Sequence, residues 1–312
     1  MRLRLELIFV ALCLAWGSTW LAIKIGVGHA PPLWFAGTRF FAAGCLMLGY
    51  QRLRRGPLAI PGGDLLRALA VGVFAVGVTF GLIFWGEQYV SSGITGVLVQ
   101  GLVPIGLYGF AVGSGHEALR RGRATGIALG VCGLGVLSAP AVHGTGHPRE
   151  AAGIAAIAVG TLAYCAASVA SRDVLRRTPA LLMSGLENLA GGLGLMLVSL
   201  PLEGGRIASE ETVRGPVVLS WLYLVVVGSL VGFTSYVLLL KEWGAARVSL
   251  YPFFTPLIAL VLGAALYGEH FGLVELTGAA IILVGVWTTR ERTRPAPLAG
   301  PAAAPRARSQ DV

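Results

Sequence analysis

Charge is what this chain has least of. Only 12% of its 312 residues are Asp, Glu, Lys or Arg, where a soluble domain carries about 25%. That shortage excludes a surface covered by water. Cysteine and histidine are also scarce. The four cysteines, Cys13, Cys45, Cys132 and Cys165, have neither metal nor redox spacing and read as small core residues. Five histidines, His29, His116, His143, His147 and His270, fall in loops or at the ends of apolar runs. His143 and His147 are four apart, but in a Gly-rich loop where that spacing has no helical meaning. There is no His-Glu-x-x-His and no Gly-x-Ser-x-Gly. A membrane enzyme would need such a set, so no catalytic residue, metal or other cofactor is expected.

What is there is apolar. Hydrophobic residues make up 55% of the chain and mean hydropathy is +0.75. Lipid must therefore cover the surface, and the fold class is an all-α integral membrane protein. Crossing the hydrocarbon takes roughly 17–25 residues of helix. Ten runs meet that length: 5–25, 33–50, 66–86, 93–113, 124–141, 151–171, 180–200, 217–239, 246–267 and 273–289. The first has basic flanks but is too long for a signal-peptide core. No small-Xaa-small cleavage site follows it, so it is expected to stay in the mature protein.

The basic residues are sorted. Numbering loops alternately, nineteen of the 24 Lys and Arg fall on one side. Four, Lys24, Arg149, Arg206 and Arg214, fall on the other, and Arg39 lies inside a run. The positive-inside rule then places both termini in the cytoplasm of a multi-pass inner-membrane protein. It also accounts for the net charge of +9, so no nucleic-acid partner is needed. The tail 291–312 is Ala, Pro and Arg with little bulky apolar content and is expected to be disordered.

Two stretches repeat: "LVPIGLYGFAVGSGHE" and "FTPLIALVLGAALYGE". Each places a glutamate thirteen residues after a proline, Pro104 to Glu117 and Pro256 to Glu269, and the copies lie 152 residues apart. At the same offset Thr125-Gly126 meets Thr277-Gly278. At an offset of 148, Trp16 meets Tyr164, Lys24 meets Arg172, Pro31 meets Pro179 and Arg39 meets Glu187. The chain thus divides into 1–142 and 151–290, five runs each, joined by an external linker over 143–150. Because five is odd, the second half enters the membrane inverted. Inverted repeats are the architecture of secondary transporters, with the substrate site near the midplane. Proline inside a helix strips a carbonyl of its partner. Here those carbonyls belong to Gln100 and Pro252, and each needs protein or a wet cavity.

The stretches "AWGSTWLAIK" (15–24), "PPLWFAGTRFFAA" (31–43), "GTLAYCAASVASRDV" (160–174) and "TPLIALVLGAALYGE" (255–269) before "LTGAAIILVGV" (276–286) carry a resemblance. The chain resembles the drug/metabolite transporter superfamily in its EamA-type, ten-helix form. The likeness spans about 1–290; the first-half copy "VPIGLYGFAVGSGHE" (103–117) is weaker. It implies a cavity lined by spans 1, 3, 4, 6, 8 and 9, and export or exchange of a small metabolite, such as an amino acid or a drug-like solute. A channel and a polytopic membrane enzyme are the competing classes.

Candidate residues follow from spacing. Trp16, Trp20 and Lys24 share one helix face, as do their mates Tyr164, Ser168 and Arg172. Two aromatics below a cation suit an amphiphilic solute, while an interfacial belt with a snorkelling Lys24 is the structural alternative. Gln100, Tyr236 and Tyr251 are expected beside them as substrate contacts. Pro104 and Pro256 are expected as bending elements. Lys24, Arg39 and Glu187 are expected as gate charges. Arg39 and Glu187 differ in depth by roughly 10 Å and are not expected to pair. Glu187 is the clear mid-span carboxylate, but it lies outside the family's cavity-lining spans. Glu117 and Glu269 are expected to be structural, pairing with Arg120, Arg121 or His270 or serving the next helix's free N–H groups. Gly122, Gly126 and Gly130 suit close helix packing or a homodimer face.

Overall fold

The computed structural model describes residues 2–54, 58, 60, 62–118, 121–142, 149–248 and 250–289. The tail, most of the linker with His143 and His147, and Arg120 lie outside the described residues, as do the surroundings of Arg121 and Gly122. Every element is helical: α1 Arg2–Val27, α2 Pro32–Leu53, α3 Gly62–Glu87, α4 Ser92–Gly113, α5 Arg121–Val142, α6 Glu150–Ala170, α7 Ala180–Ile207, α8 Gly215–Trp243, α9 Tyr251–Tyr267 and α10 Leu273–Thr289. Short turns of helix lie at Arg172–Arg177, Glu210–Val213 and Ala245–Val248. Among the described residues α1, α3, α4, α6, α7 and α8 are long and apolar enough to cross a membrane, and α5, α9 and α10 are apolar but shorter.

Local chemistry fixes the ends. Pro32 stands in the first turn of α2, where its missing N–H costs nothing. Ser91 caps α4 by accepting from Ile94 N. Gly244, at φ +78°, ends α8, and Gly268, at φ +68°, ends α9. The expected run 246–267 is therefore broken: a short helix ends at Val248 and α9 begins at Tyr251. Pro256 falls in the second turn of α9, not at mid-helix, whereas Pro104 sits deep inside an unbroken α4.

Close approach is built on glycine. α2 crosses α7 where a Cβ on Gly44 would stand 2.6 Å from Leu189 N. α5 crosses α10 where one on Gly133 would stand 2.8 Å from Ile282 N, and one on Gly285 2.9 Å from the Gly126 carbonyl and 3.0 Å from Gly130 N. The Gly126–Gly130 face is thus occupied by α10 of the same chain and is not open to a second copy. α3 and α8 each contain a π-helical stretch, Val73–Val78 and Leu224–Val231. Each inserts a residue into the helical ladder, a feature frequent at functional sites. Cys13 and Cys165 are buried as expected; Cys45 and Cys132 are exposed, on outward helix faces that lipid rather than core covers.

Candidate functional site: a charged cavity with one clamped end

A cavity of about 310 Å³ lies between the helices. Trp16 and Trp20 of α1, Gln100 of α4, Tyr164 of α6 and Tyr251 of α9 line it, so five of the seven expected substrate contacts meet in one space. The other two stand just behind. Tyr236 packs on Trp16 with ring centroids 5.5 Å apart and on Tyr251 at 6.0 Å, and Ser168 lies against the Tyr164 hydroxyl. Trp16 is fixed in place: its indole Nε1 donates to the Gly228 carbonyl at 3.1 Å, within the π stretch of α8. Tyr164 is 37% exposed, and that exposure faces the cavity.

The wall is wider than the resemblance implied. α2 contributes Arg39, Phe40 and Met47, and α7 contributes Glu187 and Asn188. Glu187, expected outside the cavity, is part of its wall. Gly72 of α3 is what lets this happen, since a Cβ there would stand 2.7 Å from Glu187 Cα. Arg39 is buried, with its guanidinium 3.4 Å from the Phe40 ring centroid and 5.6 Å from those of Phe80 and Phe84. Aromatic faces take the place of a counter-ion. One nitrogen donates to Ser229 Oγ at 3.3 Å, while Nε has no acceptor among the described residues. Trp20 Nε1 is likewise buried without an acceptor. No ion pair joins Arg39 to Glu187 among the described residues, as their difference in depth predicted.

Lys24 points away from this cavity. Its ammonium donates to the carbonyl oxygens of Glu87 at 2.7 Å, Gln88 at 3.2 Å and Val90 at 2.7 Å, the end of α3 and its turn into α4. A cation on a helix C-terminus satisfies carbonyls that the helix leaves free. It is therefore a clamp rather than a snorkelling belt residue or a substrate contact. Glu269 holds the same turn from the other side. Its carboxylate accepts from Ser92 N at 2.6 Å, Ser92 Oγ at 2.9 Å and Gly93 N at 3.2 Å, capping α4 rather than the next helix in sequence or His270. Glu203 does the same for α2, accepting from Leu33 N at 3.1 Å and Trp34 N at 3.0 Å. Glu117 is exposed beyond the far end of α4 and has a partner. Sequence reasoning missed Glu87, which is fully buried in this turn; it stands one residue past the expected end of its span.

A helical bundle around a mostly apolar cavity that holds a few polar and charged side chains suits a carrier. Two stretches, residues 3–139 and 151–290, match the EamA-like transporter family. The chain belongs to that family, and so to the drug/metabolite transporters: it is a membrane transporter of a small-molecule substrate. It is 33% identical over 279 residues to the uncharacterized inner membrane transporter YedA of Escherichia coli K12, covering 88% of this chain and 87% of that protein. It is 25% identical to a probable amino-acid metabolite efflux pump of Salmonella typhimurium, over 87% of this chain and 90% of the other. Protein PagO of the same organism is 24% identical over 92% and 93%. A solved crystal structure superposes with a TM-score of 0.62 at 20% identity, over 91% of this chain and 96% of its own, a likeness of fold.

Proposed function

We propose that this protein is a secondary transporter that exports a small zwitterionic metabolite of amino-acid type by alternating access, and that it is not an enzyme. The observation that carries this is the pairing of unmet polar groups in one cavity. Arg39 Nε and Trp20 Nε1 are buried donors without acceptors, and Glu187 is an opposite charge in the same wall. Buried donors cost free energy until something bonds them. A carboxylate on the solute meets the first two once they turn toward the cavity, and an ammonium meets Glu187, while Gln100 and Asn188 line the same space. The rings of Trp16, Tyr164 and Tyr251 then take the apolar part.

The alternating-access reading rests on ten transmembrane helices arranged as two inverted repeats, 1–142 and 151–290. Its support is pairwise. Mates by sequence make matching contacts: α2 packs on α7, α5 on α10 and α4 on α9, while α1 with α8 mirrors α6 with α3. The π stretches occupy corresponding helices. Both termini are cytoplasmic in this arrangement, which reporter fusions test: Glu203 should read external, and Arg54 and Arg176 internal. The relative's name, a metabolite efflux pump, favours export.

The test is thermal stability of the purified full-length protein with leucine, leucinamide and 4-methylpentanoate, beside nucleosides and cationic drugs. A ligand at 100 times its Kd stabilises by about 2.7 kcal/mol. Leucine should raise Tm, and the two analogues lacking one charge should raise it less. Counterflow of labelled leucine in proteoliposomes then establishes transport. A shift produced only by nucleosides or cationic drugs would overturn the zwitterion. Single-channel currents would overturn the carrier.

A further inference from the structure

Glu87 is fully buried, and neither carboxyl oxygen has a partner among the described residues. It is also the residue whose backbone carbonyl the Lys24 ammonium grips. An ammonium has three N–H groups, and here all three are spent on the carbonyls of Glu87, Gln88 and Val90. None is left for the carboxyl beside them. Glu269, the other acid facing Glu87, is already satisfied by three donors from Ser92 and Gly93.

We propose that Glu87 is a proton-binding site and that its proton sets the clamp. With the proton on, the Glu87 carboxyl is neutral, and Lys24 is left to the three carbonyls, so the α3–α4 turn is held shut. When the proton leaves to water, the Glu87 carboxylate becomes the strongest acceptor within reach of Lys24. Against the ammonium, a carboxylate adds the attraction of a full opposite charge to the hydrogen bond, which a neutral carbonyl does not. Lys24 then moves to the carboxylate, the carbonyls are released and the turn is free to open. One proton passes between Glu87 and water, and no other bond is made or broken covalently. This deepens the transporter reading and rests on it for its purpose, since the clamp closes one end of the cavity-bearing bundle.

The charged groups around Glu87 are few. α1 presents Lys24, and the turn between α9 and α10 presents Glu269. From α6, Glu150 faces Lys24, and Arg149 just before it is held on the Tyr89 hydroxyl at 3.1 Å. α4 contributes only neutral hydroxyls: Ser92 bonds Glu269, and Thr95 bonds the Ser91 carbonyl at 3.0 Å. The close crossing that buries Glu87 is made by Gly86 and Gly153, where a Cβ on Gly86 would stand 2.6 Å from the Gly153 carbonyl.

The experiment reads the clamp itself and needs neither substrate nor orientation. Full-length protein with its four cysteines changed to serine carries Val90→Cys, a buried side chain in the clamped turn whose carbonyl is unaffected. It is labelled by a maleimide in nanodiscs across roughly pH 5 to 9, with rates normalised to an exposed His270→Cys reference. The normalised rate should rise at least about fivefold with pH as the closed population falls. Glu87→Gln, a permanent neutral mimic, should hold it low throughout, and Glu87→Asp should restore the rise. Lys24→Met should label fast at every pH. Glu210→Gln, which removes an exposed acid outside both the cavity and the clamp, should behave as the parent. A flat parent profile, or an undiminished rise in Glu87→Gln, overturns the proposal. Because no transport is measured, either result stands apart from the leucine experiment.

Discussion

The two ends of the bundle are finished differently, although the chain repeats. At one end Lys24 and Glu269 grip the turn between α3 and α4 from two directions. At the corresponding place in the second half, α8 stops at Gly244, a short helix intervenes, and α9 starts late. The mates of the two gripping residues are Arg172, which is exposed, and Glu117, also exposed. Burial follows the same division: 50% of the most apolar stretch of α3 is buried, against 33% for its mate α8. One motif held in two conformations is what the proposed alternating access needs, and under that proposal the gripped end is the closed one.

What the halves share should break first. Gly44→Ala and Gly133→Ala each drive a methyl into backbone, at Leu189 N and Ile282 N. A backbone neighbour does not yield as a side chain does, so each is expected to cost roughly 1–3 kcal/mol or more. Gly49→Ala, with nothing within 4 Å, is the control and should gain about 0.5–1 kcal/mol of helix stability. Thermal melts of the purified variants measure all three. A large loss in only one of the first two would mean that the α2–α7 and α5–α10 crossings are not equivalent.

The clamp comes next, and it should separate the halves. Lys24→Met removes three bonds from a charged donor, worth about 1.5–3 kcal/mol for a typical such bond and not additive. Arg172→Met removes an exposed cation and should stay within about 0.5 kcal/mol. Equal losses in the same melts would show that the second half has a clamp of its own.

Much of this contrast was legible before any coordinates, and the unread part has physical causes. Trp16 and Tyr164 reach one cavity because a repeat offset is a statement about position, and position survives folding. Arg39 and Glu187 were legible as charges too costly for hydrocarbon. The π stretches left no trace, since adding a residue to an all-apolar ladder leaves no polar face to shift. The break before α9 fell inside a run taken as one span, although Gly244 ahead of it and Pro252, in the first turn of α9, both mark it. Glu87 was missed because burial there depends on how closely α6 approaches α3, a matter of Gly86 meeting Gly153, not of Glu87 itself.

The aromatic mates sharpen the comparison inside the cavity. Tyr164 exposes its face to the cavity, so Tyr164→Ala should weaken leucine binding about tenfold, or 1.4 kcal/mol, with a small change in Tm. Trp16 is tied to Gly228 and wedged against Tyr236 and Tyr251. Trp16→Ala should therefore lower binding and Tm together, while Trp16→Phe keeps the packing and loses the Gly228 bond. Titration calorimetry beside melts distinguishes them. Binding unchanged in both alanine variants would move the solute away from α1 and α6.

The smallest effect is expected at the two prolines. Both were expected to bend their helices at matched depths, but the structure places them unequally. Pro104 lies deep in α4, twelve residues from its start, so a carbonyl one turn back, that of Gln100, loses its helical partner beside the cavity. Pro256 lies in the second turn of α9, and the chain ahead of it is already broken by the gap after Val248. Alanine at 104 restores a hydrogen bond in the middle of a moving helix and should stiffen it. Alanine at 256 restores one where the break persists regardless. Hence Pro256→Ala should bind leucine as the parent does and slow counterflow only about twofold, whereas Pro104→Ala should slow it more, with binding also nearly kept, because cycling rather than affinity is altered. Counterflow rates of the two variants at matched reconstitution decide the order. A larger defect at Pro256 would mean that α9, despite its interrupted start, is the helix whose bend sets the rate.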